Sequence, residues 1–514
     1  MWPRAVYRGV IGADPDDPPL VWMCMTDARE IELKFLCEPH DLDKILAASP
    51  PGADETRELV SVYFDTTAGD LRAKGVSLRV RHSGERRLQT VKRGAGLSRE
   101  EHEAEIVGDR PDPLVGPLKK LLSSRGVRAL KPVFEVRVKR RQRLFHHGAA
   151  TVELALDEGD VRAGRRSSPI SEVELELKSG DPAALYAAAR DLAGAAPLYL
   201  SFDSKATQGE ALLAGTLLKA RHSAPIVLPR RATAADAFQA TARQALAQIA
   251  ANAALLREAQ GAEAVHQLRV GVRRLRSALS TFSPLFASRE AKSLKSELAW
   301  LAKSCDAARN LEVFATETIA PAPPATPGLA ALSKAVEGAL AKGLASAAQA
   351  ASSERFRRLM IDAAAWIETG PWRETRRKAR EEPVADFAAR RLGKRLRKVL
   401  KAGADLAELD DEGRHHLRIA AKKLRYSADA LGGPFPSRAV GGFARRLKGL
   451  QDELGALNDL ATAGPLVAGL RLTPDAALAA GELLGALEAR KPRLIARAAK
   501  AFGKLADTEP FWRG

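Results

Sequence analysis

The sequence predicts an α+β protein of two unlike domains, an antiparallel β-sheet or closed barrel followed by an all-α bundle built from a duplicated unit. Three observations carry this. Between Arg29 and Lys178, short runs alternate charged and apolar residues with a period of two, as strands with two different faces do. From Thr233 onward, Ala, Leu and Arg dominate and apolar residues return at three- and four-residue steps, the period of a helix. Within that second half, one His- and Arg-rich motif occurs twice. At 514 residues the chain is also too long for a single core.

Composition narrows the class. Apolar residues make up 46% and charged residues 28%, ordinary for a folded chain, while aromatics are sparse at 5%, so Leu, Val and Ala must supply the cores. A formal charge of +18 points to polyanionic partners: nucleic acid, anionic membrane or polyphosphate. Cys24, Cys37 and Cys305 are scattered and odd in number, which indicates neither a disulfide framework nor a zinc site and fits a reducing cytoplasm. No apolar run approaches the roughly 20 residues of a membrane span. Residues 1–24 lack periodicity and are read as an extension ahead of the true start, with translation from Met25 as the expectation.

The first half, residues 25–215, is read strand by strand. Arg29-Glu-Ile-Glu-Leu-Lys-Phe35 places Glu30, Glu32 and Lys34 on one face and Ile31, Leu33 and Phe35 on the other. Alone, this could be a solvated face with a surface ion pair. A helical stretch at 41–48 follows, then Ser61–Asp65, then Ser77–Arg81, which carries Arg79 and Arg81 in phase. Leu88–Lys92 adds Lys92, and Arg99–Glu105 puts Glu101, Glu103 and Glu105 on one face. Phe134–Arg143 is read with Glu135, Arg137, Lys139 and Arg141 in phase. Val152–Asp157 carries Glu153 and Asp157, and Glu172-Val-Glu-Leu-Glu-Leu-Lys178 repeats the opening pattern. Helical stretches are expected near 112–124 and 182–192. Basic rows on some strands and Glu rows on others favour a charged interior, where Arg and Lys grip phosphate oxygens and Glu rows hold a hard divalent cation. Buried charges without such guests would be prohibitively costly.

Taken together, Glu30-x-Glu32-x-Lys34, Leu78-Arg79-Val80-Arg81, Lys92, Arg99-x-Glu101-x-Glu103, the Glu172-x-Glu174-x-Glu176 row and Ser204-Lys205 resemble the CYTH domain of the triphosphate tunnel metalloenzymes. The resemblance implies an antiparallel β-tunnel that hydrolyses or cyclises triphosphates with a divalent metal, Mg²⁺ or Mn²⁺. It implies metal ligands among Glu30, Glu32, Glu172, Glu174 and Glu176. Lys34, Arg79, Arg81, Lys92, Arg137, Lys139 and Lys205 would bind the triphosphate. Glu101, Glu103, Asp157 and Lys92 are the catalytic candidates. No P-loop pattern competes with this reading.

Residues 216–232, with two prolines and no helical period, are read as a linker, and residues 233–505 as the helical domain, followed by a tail at 506–514. A Pro-rich break at 321–327 divides the helices, and a basic helix is expected around 388–401. His266-Gln-Leu-Arg269-(x)3-Arg273-(x)2-Arg276 aligns with His415-His-Leu-Arg418-(x)3-Lys422-(x)2-Arg425 at an offset of 149 residues, from His266 to His415. At about 100° per residue, each set of four forms one stripe along a helix. Like charges so placed repel, so two stripes brought together would form a cleft that requires an anion. These motifs are similar to the CHAD domain, which implies an internally duplicated helical bundle binding inorganic polyphosphate. One departure is Asn310, where such domains commonly carry Asp. Asp459 retains the acid in the second half.

The combined expectation is a cytoplasmic, metal-dependent inorganic triphosphatase whose helical domain binds polyphosphate and recruits it to polyphosphate granules. A non-catalytic polyphosphate adaptor is the alternative from another class, and an organic triphosphate (thiamine triphosphate or a nucleotide) the alternative substrate. Specific nucleic-acid binding is disfavoured because aromatics do not interleave the basic stripes.

Overall fold

The computed structural model describes residues 30–93, 98–229, 231–259, 261–287 and 289–513, without the side chains of Glu30 and residues 98–100. The expected extension at 1–24 and the metal-ligand role of Glu30 therefore lie outside what is described. Among the described residues, nine strands form one antiparallel sheet: β1 (Glu30–Leu36), β2 (Ala53–Asp65), β3 (Val76–Ser83), β4 (Arg86–Arg93), β5 (Ser98–Glu105), β6 (Lys131–His147), β7 (Ala150–Ala163), β8 (Arg166–Ser179) and β9 (Tyr199–Ser201). Their order is β5-β4-β3-β2-β6-β7-β8-β1-β9. The sheet curls back on itself, and β1 meets β5 at Glu30↔Arg99 and Ile31↔Ser98. β9 takes the other part of that edge of β1, at Lys34–Leu36. The expected barrel is thus a tunnel with a short seam rather than a continuously bonded cylinder.

The long β6–β7 and β7–β8 hairpins turn at Gly148 and Gly164, whose φ of 59° and 61° suit glycine. They fix the register that decides which charges face inward. Outside the tunnel, Leu33, Phe35, Leu154, Leu156, Val173 and Leu175 are fully buried. They pack against α1 (Pro182–Leu192) and share one core with the helical domain. The wall that carries Lys34 and Glu174 is therefore backed by helices of the second domain. Arg190 on α1 bridges to Asp362 at 2.7 Å, and Tyr199 lies under Arg257, 3.7 Å from its ring centre.

At one end the tunnel interior is apolar. Leu59, Val136, Val138, Val161 and Ile170 close on Ala206 and Leu212 of α2 (Lys205–Ala214). Phe134 lies so close to Gly209 that a Cβ there would sit 2.2 Å from the ring, so only glycine seats this helix. Ser204 caps α2 by accepting from the Thr207 N–H, and Lys205 enters the tunnel at the first helical position.

This apolar end overturns the phase expected for β6. Phe134, Val136 and Val138 face inward, and Arg137 and Lys139 are exposed on the outer face. Arg137 pairs there with its neighbour Glu135. The expectation assumed that charge marks the interior all along the tunnel.

The helical domain uses α3 (Ala234–Ala259), α4 (Ala262–Thr281), α5 (Asp306–Phe314), α6 (Val384–Ala402), α7 (Asp411–Leu431) and α8 (Ser437–Ala468), among other helices. α4 and α7 begin 149 residues apart, at Ala262 and Asp411, as the motif offset requires. Among the described residues of 216–232 there is no helix or strand. Asn252 pins this connector by bonding the Arg221 backbone on both sides, at 3.0 and 2.9 Å. No described helix is long and apolar enough to cross a membrane.

Candidate functional site

One wall of the tunnel is a compensated charge cluster. Register sets Lys34 opposite Glu174, Asp157 opposite Glu172, and Arg140 opposite Asp157. Lys205 reaches Asp157 at 2.7 Å, Glu172 at 2.6 Å and Glu174 at 2.9 Å. Lys34 bonds Glu174 and lies 3.5 Å from Glu172. Arg140 donates two bonds to Asp157, at 2.7 and 2.6 Å, and one to Glu174 at 2.5 Å. Burial alone would raise the pKa of Glu174, but Lys205, Lys34 and Arg140 hold it well below the usual carboxylate range. Asp157 is lowered in the same way, against its burial, by Lys205 and Arg140.

The facing wall belongs to β3, β4 and β5. Arg79 donates from Nε to Thr90 Oγ1 at 3.2 Å, and Thr90 donates on to Glu103 at 2.8 Å. Lys92 pairs with Glu101 at 2.6 Å, and Arg79 stands 3.9 Å from both Glu101 and Glu103. Arg81 differs from its neighbours. Its Nε is enclosed and has no hydrogen-bond partner among the described residues. Burial, then Arg79 and Arg140, push its pKa down to about 10. Three guanidiniums thus converge, and at Arg81 their repulsion outweighs the attraction of Glu103.

The structure divides the expected metal ligands into two levels. Asp157 and Glu172 are buried and Glu174 half-buried, with oxygens within 4.8 Å of one another. Glu32 and Glu176 pair across β1 and β8 in the next inward row, with Glu153 beyond on β7. Lys178 reaches Glu176 at 2.8 Å and Glu153 at 3.4 Å. Of the expected phosphate binders, Lys34, Arg79, Arg81, Lys92 and Lys205 face inward, while Arg137 and Lys139 do not. Arg140 takes their place. It was legible in principle: a β-hairpin turning at Gly148 puts residue 140 opposite Asp157.

In the helical domain, α4 and α7 bring both stripes to one cleft of about 360 Å³. His266, Arg269 and Arg273 line it from α4, and His415, Arg418 and Lys422 from α7. Arg269 is tied to Asp306 at 2.7 Å, and His415 Nδ1 lies 3.1 Å from Asn458 Oδ1. Arg418 Nε is enclosed without a partner among the described residues. Asn310 and Asp459 both line the cleft, so the departure at Asn310 leaves one acid fewer in it. Arg276 faces an adjoining cavity with Arg273 and Lys303, and Arg425 stacks on Tyr426, 4.9 Å from its ring centre. These two extend the stripes beyond the main cleft.

Residues 28–209 match the CYTH domain family and residues 240–468 the CHAD domain family. The chain joins a CYTH domain to a CHAD domain. An inorganic triphosphatase of Haemophilus influenzae is 29% identical over 195 residues, which are 35% of this chain and 54% of that protein. The chain thus spans about half the length of that curated relative. Among solved structures, the CHAD domain from the plant Ricinus communis is 28% identical, covering 55% of this chain and 96% of that one, with a TM-score of 0.49. A Hippeastrum protein with a dominant triphosphatase activity is 20% identical, covering 35% of this chain and 95% of that one, with a TM-score of 0.28. The antiparallel tunnel is the CYTH part and the helical bundle the CHAD part.

Proposed function

We propose that the CYTH domain hydrolyses inorganic triphosphate with a divalent cation, Mg²⁺ or Mn²⁺, and that the CHAD cleft binds polyphosphate. The observation that carries the first reading is Arg81, enclosed at Nε without a partner beside Arg79 and Arg140. A linear triphosphate would supply the negative charge that Glu103 alone does not. Arg79, Arg81 and Arg140 would hold its oxygens in fork geometry, with Lys34, Lys92 and Lys205 as point charges.

The donor set fits a hard cation, since only carboxylate oxygens are offered. Asp157, Glu172 and Glu174 are matched one for one by Lys34, Lys205 and Arg140, whereas Lys178 reaches both Glu176 and Glu153, so we assign the ion to the Glu32 and Glu176 row, with Glu172 and Glu174 holding the lysines. When bound, such an ion neutralises phosphate oxygens and acidifies water. Asp157, held below the carboxylate range, is a poor proton acceptor and keeps Arg140 and Lys205 in place. Glu103, on the opposite wall and partly open to water, is the better-placed base, with Glu101 fixing Lys92.

A second reading, hydrolysis of an organic triphosphate, is favoured by a cavity of about 340 Å³ lined by Tyr63, Ser77, Phe134, Arg72 and Glu210. Its mixed aromatic and polar walls suit a base or thiazole ring. Phosphate release from triphosphate, ATP, thiamine triphosphate and long-chain polyphosphate, with and without Mg²⁺ or Mn²⁺, separates the two. Triphosphate should turn over fastest, chelation should stop it, and Glu32→Ala should lower it about 100-fold. Faster turnover of an organic substrate would favour the second reading, and no metal-dependent turnover at all would refute both. For the cleft, Arg269→Glu with Arg418→Glu should abolish polyphosphate binding and spare turnover. Undiminished affinity would refute that assignment.

A further inference from the structure

The basic helix α6 carries cations that the cleft does not use. Arg390 pairs with Glu382 at 2.5 Å, but Arg391, Lys394, Arg395, Arg397, Lys398 and Lys401 pair with no carboxylate among the described residues. No acidic residue occurs between Phe387 and Gly403. Arg391 and Arg395 stand one turn apart and face the end of α4. Arg391 donates to the Ser280 carbonyl at 2.9 Å, and Arg395 to the hydroxyls of Ser280 and Thr281 at 3.1 and 3.2 Å. The Nε of each is enclosed and has no partner among the described residues. Burial and Arg391 push Arg395 down to about 10.

Capping of α4 explains one bond from Arg391, since a cation suits a helix C-terminus. It does not explain a second guanidinium beside the first, because like charges four residues apart repel. Nor does the duplicated architecture require the pair. The buried faces of α3 and α6 coincide at an offset of 150, with Ala237 matching Phe387, Ala242 matching Leu392 and Leu246 matching Leu396. Arg391 and Arg395 then correspond to Thr241 and Ala245, which are buried and uncharged.

We infer that Arg391 and Arg395 form a second anion site, which takes the continuation of a linear polyphosphate already seated in the cleft. The inference rests on the cleft reading above. Charge complementarity selects the occupant, and placement supplies the path. Ser280 lies four residues beyond Arg276 on the same stripe of α4, about 6 Å along the axis. A chain that leaves the cleft past Arg273 and Arg276 therefore meets Arg395 one turn further on.

Full-length protein titrated with tripolyphosphate and with long-chain polyphosphate tests this. Arg391→Gln with Arg395→Gln should leave tripolyphosphate affinity unchanged, weaken long-chain affinity about tenfold or more, and reduce the slope of log affinity against log salt by about 1.4 for two lost contacts. Lys394→Gln with Lys398→Gln, both exposed and neutral to folding, should weaken long-chain binding in the same sense. Unchanged long-chain affinity in both variants would overturn the site, as would equal losses for short and long chains. If wild-type protein binds neither ligand, or if Arg269→Glu with Arg418→Glu binds normally, the cleft reading itself has failed.

Discussion

Replacing Arg81 with glutamine is expected to lower triphosphate turnover by about 100-fold or more, the effect of losing a donor to developing phosphate charge, without lowering the thermal midpoint. In the free protein this guanidinium makes no ion pair among the described residues, and the repulsion of Arg79 and Arg140 outweighs the attraction of Glu103, so its removal relieves repulsion. Arg140→Gln should behave in the opposite way. Asp157 is fully buried and takes two bonds from Arg140, and Glu174 takes a third. Removing one partner of a buried ion cluster costs about 3–5 kcal/mol, so this variant should lose stability as well as activity. Phosphate release together with thermal denaturation checks the pair. If Arg81→Gln destabilises as strongly as Arg140→Gln, then Arg81 is structurally paired, and the argument for an anionic guest loses its main support.

The contrast shows what sequence could and could not convey. Alternation on β1 and β8 marked Lys34, Glu172 and Glu174 as inward because the outer positions, Leu33, Val173 and Leu175, are uniformly apolar and pack on the bundle. On β6 the same rule failed. There both faces have an apolar claim, the inner one through Val136 and Val138 beneath α2, and four odd-numbered charges outweighed one inward arginine. The period of two is a property of the strand, whereas the choice of phase belongs to the neighbours, which periodicity does not name. The division of the carboxylates into a level held by Lys34, Lys205 and Arg140 and a level reached by Lys178 was equally hidden. It depends on Lys205, which arrives from a helix far along the chain. The six stripe residues that line the CHAD cleft were legible because helical spacing and duplication both lie in the sequence, while Arg391 and Arg395 became distinct only once the middle of α6 was seen to pack against the end of α4 at Ser280.

The second large effect concerns pH at the CHAD cleft. Burial first, then Arg273 and Arg418, push the Lys422 amine down to about 6, Arg425 adds to this, and Asp459 on α8 opposes it. Lys422 makes no hydrogen bond or ion pair among the described residues. At pH 7.5 it is therefore mostly neutral in the free protein. Polyphosphate oxygens in the cleft favour the charged form, so binding should capture about one proton at this pH. The free pKa lies below the bound one, which sets the sign: affinity is greatest below about pH 6 and falls as pH rises toward the bound pKa, by up to tenfold per unit. His266, lowered by burial and Arg309, acts in the same direction at more acid pH. Calorimetric titration in two buffers of different ionisation enthalpy measures the uptake. Lys422→Arg should retain affinity and lose the uptake near neutrality, because guanidinium stays charged throughout. Stability of the free domain should run the other way. The unfolded lysine titrates near 10.5 and the folded one near 6, so between those values the unfolded state binds more protons and stability rises with pH. Affinity and free-domain stability moving together across that window, or no proton uptake by wild-type protein at pH 7.5, would show that Lys422 does not face the polyphosphate. Opposite trends, both flattened by Lys422→Arg, would tie the cleft's charge strain to its ligand.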